Sequence, residues 1–328
     1  MSSSSTAKPT APSGSSCAAA DRTAAVRVAA VNAALLLLPD FLLIALGAAL
    51  ARTRGFDAGF WSGLERLVYF VLFPALLFRS LAISPRGLAD AGALAVAGLG
   101  FTAAGMLLSA LAQPLFRLPA PTFAACFQCG FRFNTYVALA AAARLGGAEA
   151  TAAMSLLIGI LVPVVNVAAV TMLARGQGGT RVVVEIVRNP LVIACVFGIG
   201  WQSLHLPLPA VPAHILELLA AAALPLGLLA VGAGLRVSRS TLPLPAVAWW
   251  SVVKLVAVPA VALVLARVLG LAPLERQVAV TLAAVSTAPS AYILAVQMNG
   301  TGTPVALLIS IGTLIAAVTL PLWIALAG

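Results

Sequence analysis

The chain is short of charge. Only 9% of its 328 residues are charged while 62% are hydrophobic, and its mean hydropathy is +1.09, values that exclude a water-soluble domain of this size. Acids are the scarcest charged class, nine Asp and Glu against 19 Lys and Arg, for a net charge of +10. Seventeen of those cations are arginines and two are lysines. They lie mostly in short connections between apolar runs, as topology-setting charges do, and not in a basic patch, so nucleic acid is not the expected partner. Histidine is limited to His205 and His214, which share a Pro-rich turn with Glu217 and read as solvated loop residues, not metal ligands. Of the four cysteines, Cys126, Cys129 and Cys195 lie in apolar segments, which argues against a disulfide framework; the fourth is Cys17. Cys126 and Cys129 form a CxxC, but with no second CxxC and no neighbouring histidine they read as polarisable packing residues. A Walker A sequence, an HExxH, a GxSxG and an aspartate-rich pair are all missing. The chain therefore offers no visible catalytic residues, cofactor site or metal site, and an enzyme is not expected.

What is present is a succession of apolar runs of about 20 residues, the length that ~30 Å of hydrocarbon requires at 1.5 Å per residue. Ten are placed, near 33–51, 64–83, 91–112, 122–145, 151–174, 182–203, 212–235, 245–270, 277–298 and 304–326. The expected fold is an all-α polytopic membrane protein. Residues 1–28, rich in Ser, Ala and Thr, form an expected disordered tail, whose arginines and low acid content also resemble a transit peptide. Residues 29–174 and 182–328 would each hold five helices, with 175–181 as a short linker. An offset of 151 residues superposes Pro39 on Pro190, Gly47 on Gly198 and Pro74 on Pro225. Because five is odd, two such halves enter the membrane from opposite sides, as an inverted repeat of the kind found in secondary transporters. Nine Lys and Arg in the odd-numbered connections, against five in the others, put the odd connections in the cytoplasm and both termini outside, the tail left uncounted. Trp201, Trp249 and Trp250 fall near span ends, where interfacial anchors belong.

The fourth helix of each half is unusual at its midpoint. The first contains Arg132-Phe133-Asn134-Thr135 and the second Ser286-Thr287-Ala288-Pro289-Ser290-Ala291-Tyr292. Polar groups at mid-membrane are costly unless they face a cavity or one another. Pro289 removes a backbone donor and obstructs the carbonyl four residues earlier, so carbonyls near Val285 and Ser286 lose their partners. Two interrupted helices in equivalent repeat positions mark a substrate site, with half-helix N-termini turned toward an anion. Arg132, Asn134, Thr135, Pro289, Ser290 and Tyr292 are the expected substrate-binding set. The Arg132 fork suits a carboxylate and Asn134 supplies an amide donor beside it, although Arg132 could instead pair with a buried acid or snorkel. Candidate coupling or gating residues are Asp40, Lys254 and Asn166. Asp40, the one acid set well inside a span, would carry a proton or pair with Arg132. For Lys254 snorkelling is the alternative, and for Asn166 a hydrogen bond to a neighbouring helix.

The chain also resembles a known family. Leu38-Pro39-Asp40-Phe41-Leu42 leading to Gly47, then Arg52-Thr53-Arg54-Gly55 and Phe73-Pro74-Ala75-Leu76, resemble the opening of auxin efflux carrier family transporters. So do Arg132-Phe133-Asn134-Thr135-Tyr136, Arg188-Asn189-Pro190-Leu191, Ala223-Leu224-Pro225-Leu226, Gly232-Ala233-Gly234-Leu235, Lys254-Leu255 with Pro259, and Ala288-Pro289-Ser290-Ala291, in the family's order. The resemblance spans residues 35–326. It implies ten helices in an inverted repeat shared in outline with bile-acid and sodium/proton transporters, with helices 4 and 9 broken and crossing at a central site. Helices 1, 2, 6 and 7 would form a scaffold around a crossover domain of the other six. Family members export or exchange organic anions, such as auxin in plants and malate or malonate in bacteria. The family's helix 4 asparagine and helix 9 proline fall on Asn134 and Pro289. The plant carriers' long loop between helices 5 and 6 is missing, since only Arg175 to Arg181 connect them, which favours a bacterial permease type in an inner membrane. Asp40 stands where the family has an apolar residue.

The expected function is a secondary transporter of small organic anions, mono- or dicarboxylates, working by alternating access. A sodium- or proton-coupled carrier of another solute on the same fold is the alternative, and a non-transporting membrane scaffold a third reading. Expected partners are the organic anion, membrane lipid, a coupling proton or sodium ion, and a second copy of the chain.

Overall fold

The computed structural model describes residues 14–53, 55–83, 92–173, 190–235, 242–298 and 301–328, and every regular element among them is helical. The helices are α1 (Gly14–Leu50), α2 (Ala58–Leu67), α3 (Phe73–Ala82), α4 (Gly92–Ala110), α5 (Ala112–Phe116), α6 (Ala120–Phe127) and α7 (Thr135–Leu173). They continue with α8 (Pro190–Ser203), α9 (Ala210–Ala233), α10 (Leu244–Val252), α11 (Val258–Val268), α12 (Pro273–Ala284), α13 (Ser290–Gln297) and α14 (Gly302–Ala327). Six helical stretches among them are long and apolar enough to cross a membrane. Their outward faces are apolar too. Leu35, Leu38, Leu42 and Leu46 recur every three or four residues along α1, and Leu314, Val318, Leu322 and Leu326 every four along α14, all exposed. Such stripes are stable against hydrocarbon and not against water. The protein is an integral membrane protein.

Helix α1 begins at Gly14, so residues 14–28, expected to be disordered, are helical instead. The reason lies in their composition: between Gly14 and Pro39 there is no further Gly or Pro, and Ala and Arg are strong helix formers. The expected linker 175–181 lies outside the described residues, as do Arg54, Arg86, Arg188, Arg236 and Arg239, which entered the orientation count.

Proline shapes two of the helical runs. A π turn, Val68–Leu72, joins α2 to α3 just before Pro74, and another, Val253–Ala257, joins α10 to α11 just before Pro259. Widening the turn relieves the clash between a proline ring and the carbonyl four residues back. At Pro259 that carbonyl belongs to Leu255, and it accepts a 2.8 Å hydrogen bond from the Trp323 indole of α14. A third irregularity, at Gly146 and Gly147, bends α7; Gly147 has φ 55, a left-handed conformation that glycine adopts without strain.

Helix α1 packs along α9 and α14, and α3 packs along α8. The α1–α9 crossing is made of backbone on backbone. A Cβ on Gly47 would collide with the Leu229 carbonyl, and one on Gly232 with the Ile44 carbonyl. Small residues of this kind let membrane helices approach closely enough for dispersion to hold them. Gly47→Ala and Gly232→Ala should each cost about 2 kcal/mol or more by overpacking, seen as a lower melting temperature in detergent. Gly63→Ala and Gly200→Ala, where the added methyl meets open space, should not lower it.

Candidate functional site

Two helices stop in the interior. From α6 the chain passes through a 3₁₀ turn, Gln128–Gly130, and stays non-helical from Phe131 to Asn134 before α7 begins at Thr135. In the second half α12 ends at Ala284, Val285 is extended (φ −66, ψ 152), and α13 starts at Ser290 with Pro289 as its N-cap. The proline explains the second interruption, since a continuous helix would drive its ring into the Val285 carbonyl.

The two interruptions are bonded to each other. The Asn134 N–H donates to the Ser286 carbonyl at 2.8 Å, the Thr287 hydroxyl to the Cys129 carbonyl at 2.7 Å, and the Gln128 amide to the Ala291 carbonyl at 3.1 Å. Backbone groups orphaned by one break are thus met by the other. That is the condition on which irregular backbone survives inside a membrane protein. Thr313 of α14 adds a 3.0 Å bond from its hydroxyl to that of Ser286.

Asn134 sits at the centre and is 1% exposed. Its Oδ1 accepts from the Tyr136 and Val137 N–H groups at 3.1 and 3.3 Å, an N-cap that contributes about 1 kcal/mol to starting α7. Its Nδ2, by contrast, has no hydrogen-bond partner among the described residues. A buried amide donor without an acceptor costs about 1–3 kcal/mol, and here it lies at the positive end of a long helix.

Arg132 is buried and held by neutral amides, with Nη1 donating to Gln128 Oε1 at 2.9 Å and Nη2 to Asn166 Oδ1. Asn166 therefore bonds across to helix 4. Asp40 does not pair with Arg132; it is buried in α1 and meets Arg144, beyond the break, at 3.5 Å. Lys254 does not snorkel. It is 4% exposed and donates to the Ala283 carbonyl at 2.7 Å. The end of α12 leaves that carbonyl without a helical partner, so an acceptor lies within reach of the ammonium and no route to water is needed. Thr135, Pro289 and Tyr292 are half-buried and Ser290 is exposed. The Tyr136 ring lies 4.4 Å from that of Phe73 in α3, and the Tyr292 ring packs over Gly302 at the start of α14.

Gln128 and Thr287 were not singled out from the sequence, although both stand in it as polar side chains in apolar surroundings, Gln128 one helical turn before Arg132. Trp250 is fully buried among the helices, whereas Trp249 is half-buried and donates to the Leu108 carbonyl at 3.1 Å. Cys126 and Cys129 are free, buried thiols, and the described residues contain no cluster of His, Cys, Asp or Glu able to hold a metal.

The electrostatic sense of the site follows. Two half-helices, α7 and α13, begin at the crossing and direct positive ends into it. Of the half-helices that end there, α12 has its carbonyl end met by Lys254, while Arg132 bonds Gln128 in the 3₁₀ turn that follows α6. The carbonyl end of α12 is thus offset by Lys254, and the positive ends of α7 and α13 face the crossing.

The chain is a helical integral membrane protein organised around two interrupted helices that lock onto each other. Residues 178–324 match the model of a family described as Membrane transport protein, in keeping with the auxin efflux carrier resemblance over that half. The match covers somewhat less than half of the chain and points to a transport role. No curated protein matches it. Only the second interruption falls within the matched segment, and the first is tied to it by the three bonds above.

Replacing Thr287 by Val should strand the Cys129 carbonyl and cost about 1–3 kcal/mol, measured by thermal unfolding. Thr319→Val, which removes an exposed hydroxyl bonded only to Ile315 of its own helix, should change stability far less.

Proposed function

We propose that the crossing is the substrate site of a secondary transporter for small organic anions, mono- or dicarboxylates, moved by alternating access. The observation that carries this reading is the buried, unpartnered Asn134 Nδ2 at the N-terminal end of α7. A carboxylate oxygen there would satisfy the amide and take up the positive end of the helix together. Arg132, locked by Gln128 and Asn166, would supply long-range attraction. Thr135, Pro289, Ser290 and Tyr292, less buried than Asn134, would line the approach.

The described helices support ten spans, five before and five after the segment 174–189, as two inverted repeats. One span runs through α2 and α3, another through α10 and α11, and two are the interrupted pairs. A mirrored contact favours the repeat. Gly47 presses on the Leu229 carbonyl, and Gly198 lies against Phe78, where an added Cβ would sit 3.0 Å from the carbonyl oxygen. Gly47 and Gly198 stand 151 residues apart in the sequence, as do Phe78 and Leu229. The same offset brought the prolines into register. On this reading helices 1, 2, 6 and 7 form a scaffold against which the crossover domain rocks.

Flux of labelled malate, malonate or acetate into proteoliposomes tests the proposal. Asn134→Ala should cut carboxylate flux by roughly tenfold or more, the worth of a hydrogen bond to a charged group, while the methyl ester of the same acid should neither move nor compete. Unchanged flux in Asn134→Ala would sink the assignment.

A further inference from the structure

Lys254 has a role that the anion site alone does not explain. In transporters with broken helices, unwound carbonyls and half-helix C-termini coordinate the coupling cation. Here the C-terminal end of α12 has its Ala283 carbonyl bonded at 2.7 Å by an ammonium that belongs to the protein. Lys254 borders a small cavity that Cys129 and Thr287 also line, so the charge lies where the two interruptions meet. It comes from the π turn Val253–Ala257, an irregularity that Pro259 imposes on the facing helix. No acid lines that cavity among the described residues, and Asp40 is engaged by Arg144.

We infer that Lys254 is a tethered cation standing in the place of a coupling sodium ion at the C-terminal end of α12, so that this transporter moves its anion without sodium. When protonated, the tethered ammonium offsets the negative end of the half-helix without having to be captured from solution, as a dissociable ion must be. The field of the two helix N-termini then stays available to the substrate whatever the sodium gradient. Removing the ammonium should expose the Ala283 carbonyl and create a place for a small external cation.

The test uses the purified full-length protein, wild type, Lys254→Ala and Lys254→Met. Thermal unfolding is compared in sodium chloride, ethylammonium chloride and choline chloride at equal ionic strength. The wild type should melt at one temperature in all three, and Lys254→Ala at a lower temperature in choline that sodium or ethylammonium partly restores. Lys254→Met, which fills the space without charge, should show no cation-specific recovery. In proteoliposomes wild-type carboxylate flux should be unchanged when choline replaces sodium, and Lys254→Ala flux should fall roughly tenfold or more and recover with ethylammonium. Sodium stabilisation of the wild type, or a Lys254→Ala protein indifferent to every cation, overturns the inference. The flux arm rests on the proposed anion transport and the melting arm does not. A wild type that moves no carboxylate therefore counts against the transport reading, while the melting data still decide the part played by Lys254.

Discussion

The interior depends on one exchange of backbone hydrogen bonds, in which the Asn134 N–H meets the Ser286 carbonyl at 2.8 Å. A break in a membrane helix leaves donors and acceptors that hydrocarbon cannot satisfy, at several kcal/mol each. A single broken helix would need water or another chain to meet that demand. Two breaks that cross can meet it between them, and the Thr287 and Gln128 side chains extend the same exchange to the Cys129 and Ala291 carbonyls. The groups left over after this mutual satisfaction are few, and Asn134 Nδ2 is among them. The proposed site is in this sense the remainder of a structural solution.

Charge is distributed by the same logic. Arg132 and Lys254 are both buried at the crossing, where isolated cations are expensive. Each is held by oxygen atoms that the breaks place there: Gln128 in the 3₁₀ turn together with Asn166 on the far limb of α7, and Ala283 at the end of α12. On the proposed reading, the cations would keep the carbonyl ends from repelling an anion while the amide ends attract it.

Much of this was legible in the residues, for uneven reasons. Pro289 has a fixed chemistry, so its helix break and the freeing of the Ser286 carbonyl follow from the sequence alone. The first break has no proline, and only the presence of Arg132 and Asn134 in an apolar run marked it. That Asn134 would cap α7 with one amide atom and leave the other unpartnered depends on where the helix restarts, which local sequence does not encode. Partners were the least legible part. Arg132 finds Asn166 across 34 positions and Lys254 finds Ala283 across 29, and both matches are products of packing. Trp250 was expected as an interfacial anchor, and Lys254 as a coupling or gating candidate with snorkelling as its alternative. The π turn beginning at Val253 and the close fit of the surrounding helices bury both instead. Helix formation over residues 14–28 was missed because low hydropathy was weighed above the helix propensity of alanine.

The packing also says where movement is least opposed. Gly47 and Gly232 bring the backbones of α1 and α9 into contact, an arrangement with one close-fitting geometry and no slack. The crossing is tied by three hydrogen bonds. The contacts between the two include α1 along α14, the Asp40–Arg144 pair at 3.5 Å, the Phe73 ring against Tyr136 at 4.4 Å, and the Ser80 hydroxyl donating to that of Ser155 at 2.8 Å. Aromatic faces, one hydroxyl pair and one long ion pair can slide and re-form at a lower cost than opening the crossover bonds or parting the glycine contact. If the protein alternates its access as proposed, the displacement falls along the surface of α3 that faces α7. The Asn134 site then travels intact with the crossing, its orphan amide carried from one side of the membrane to the other without being remade.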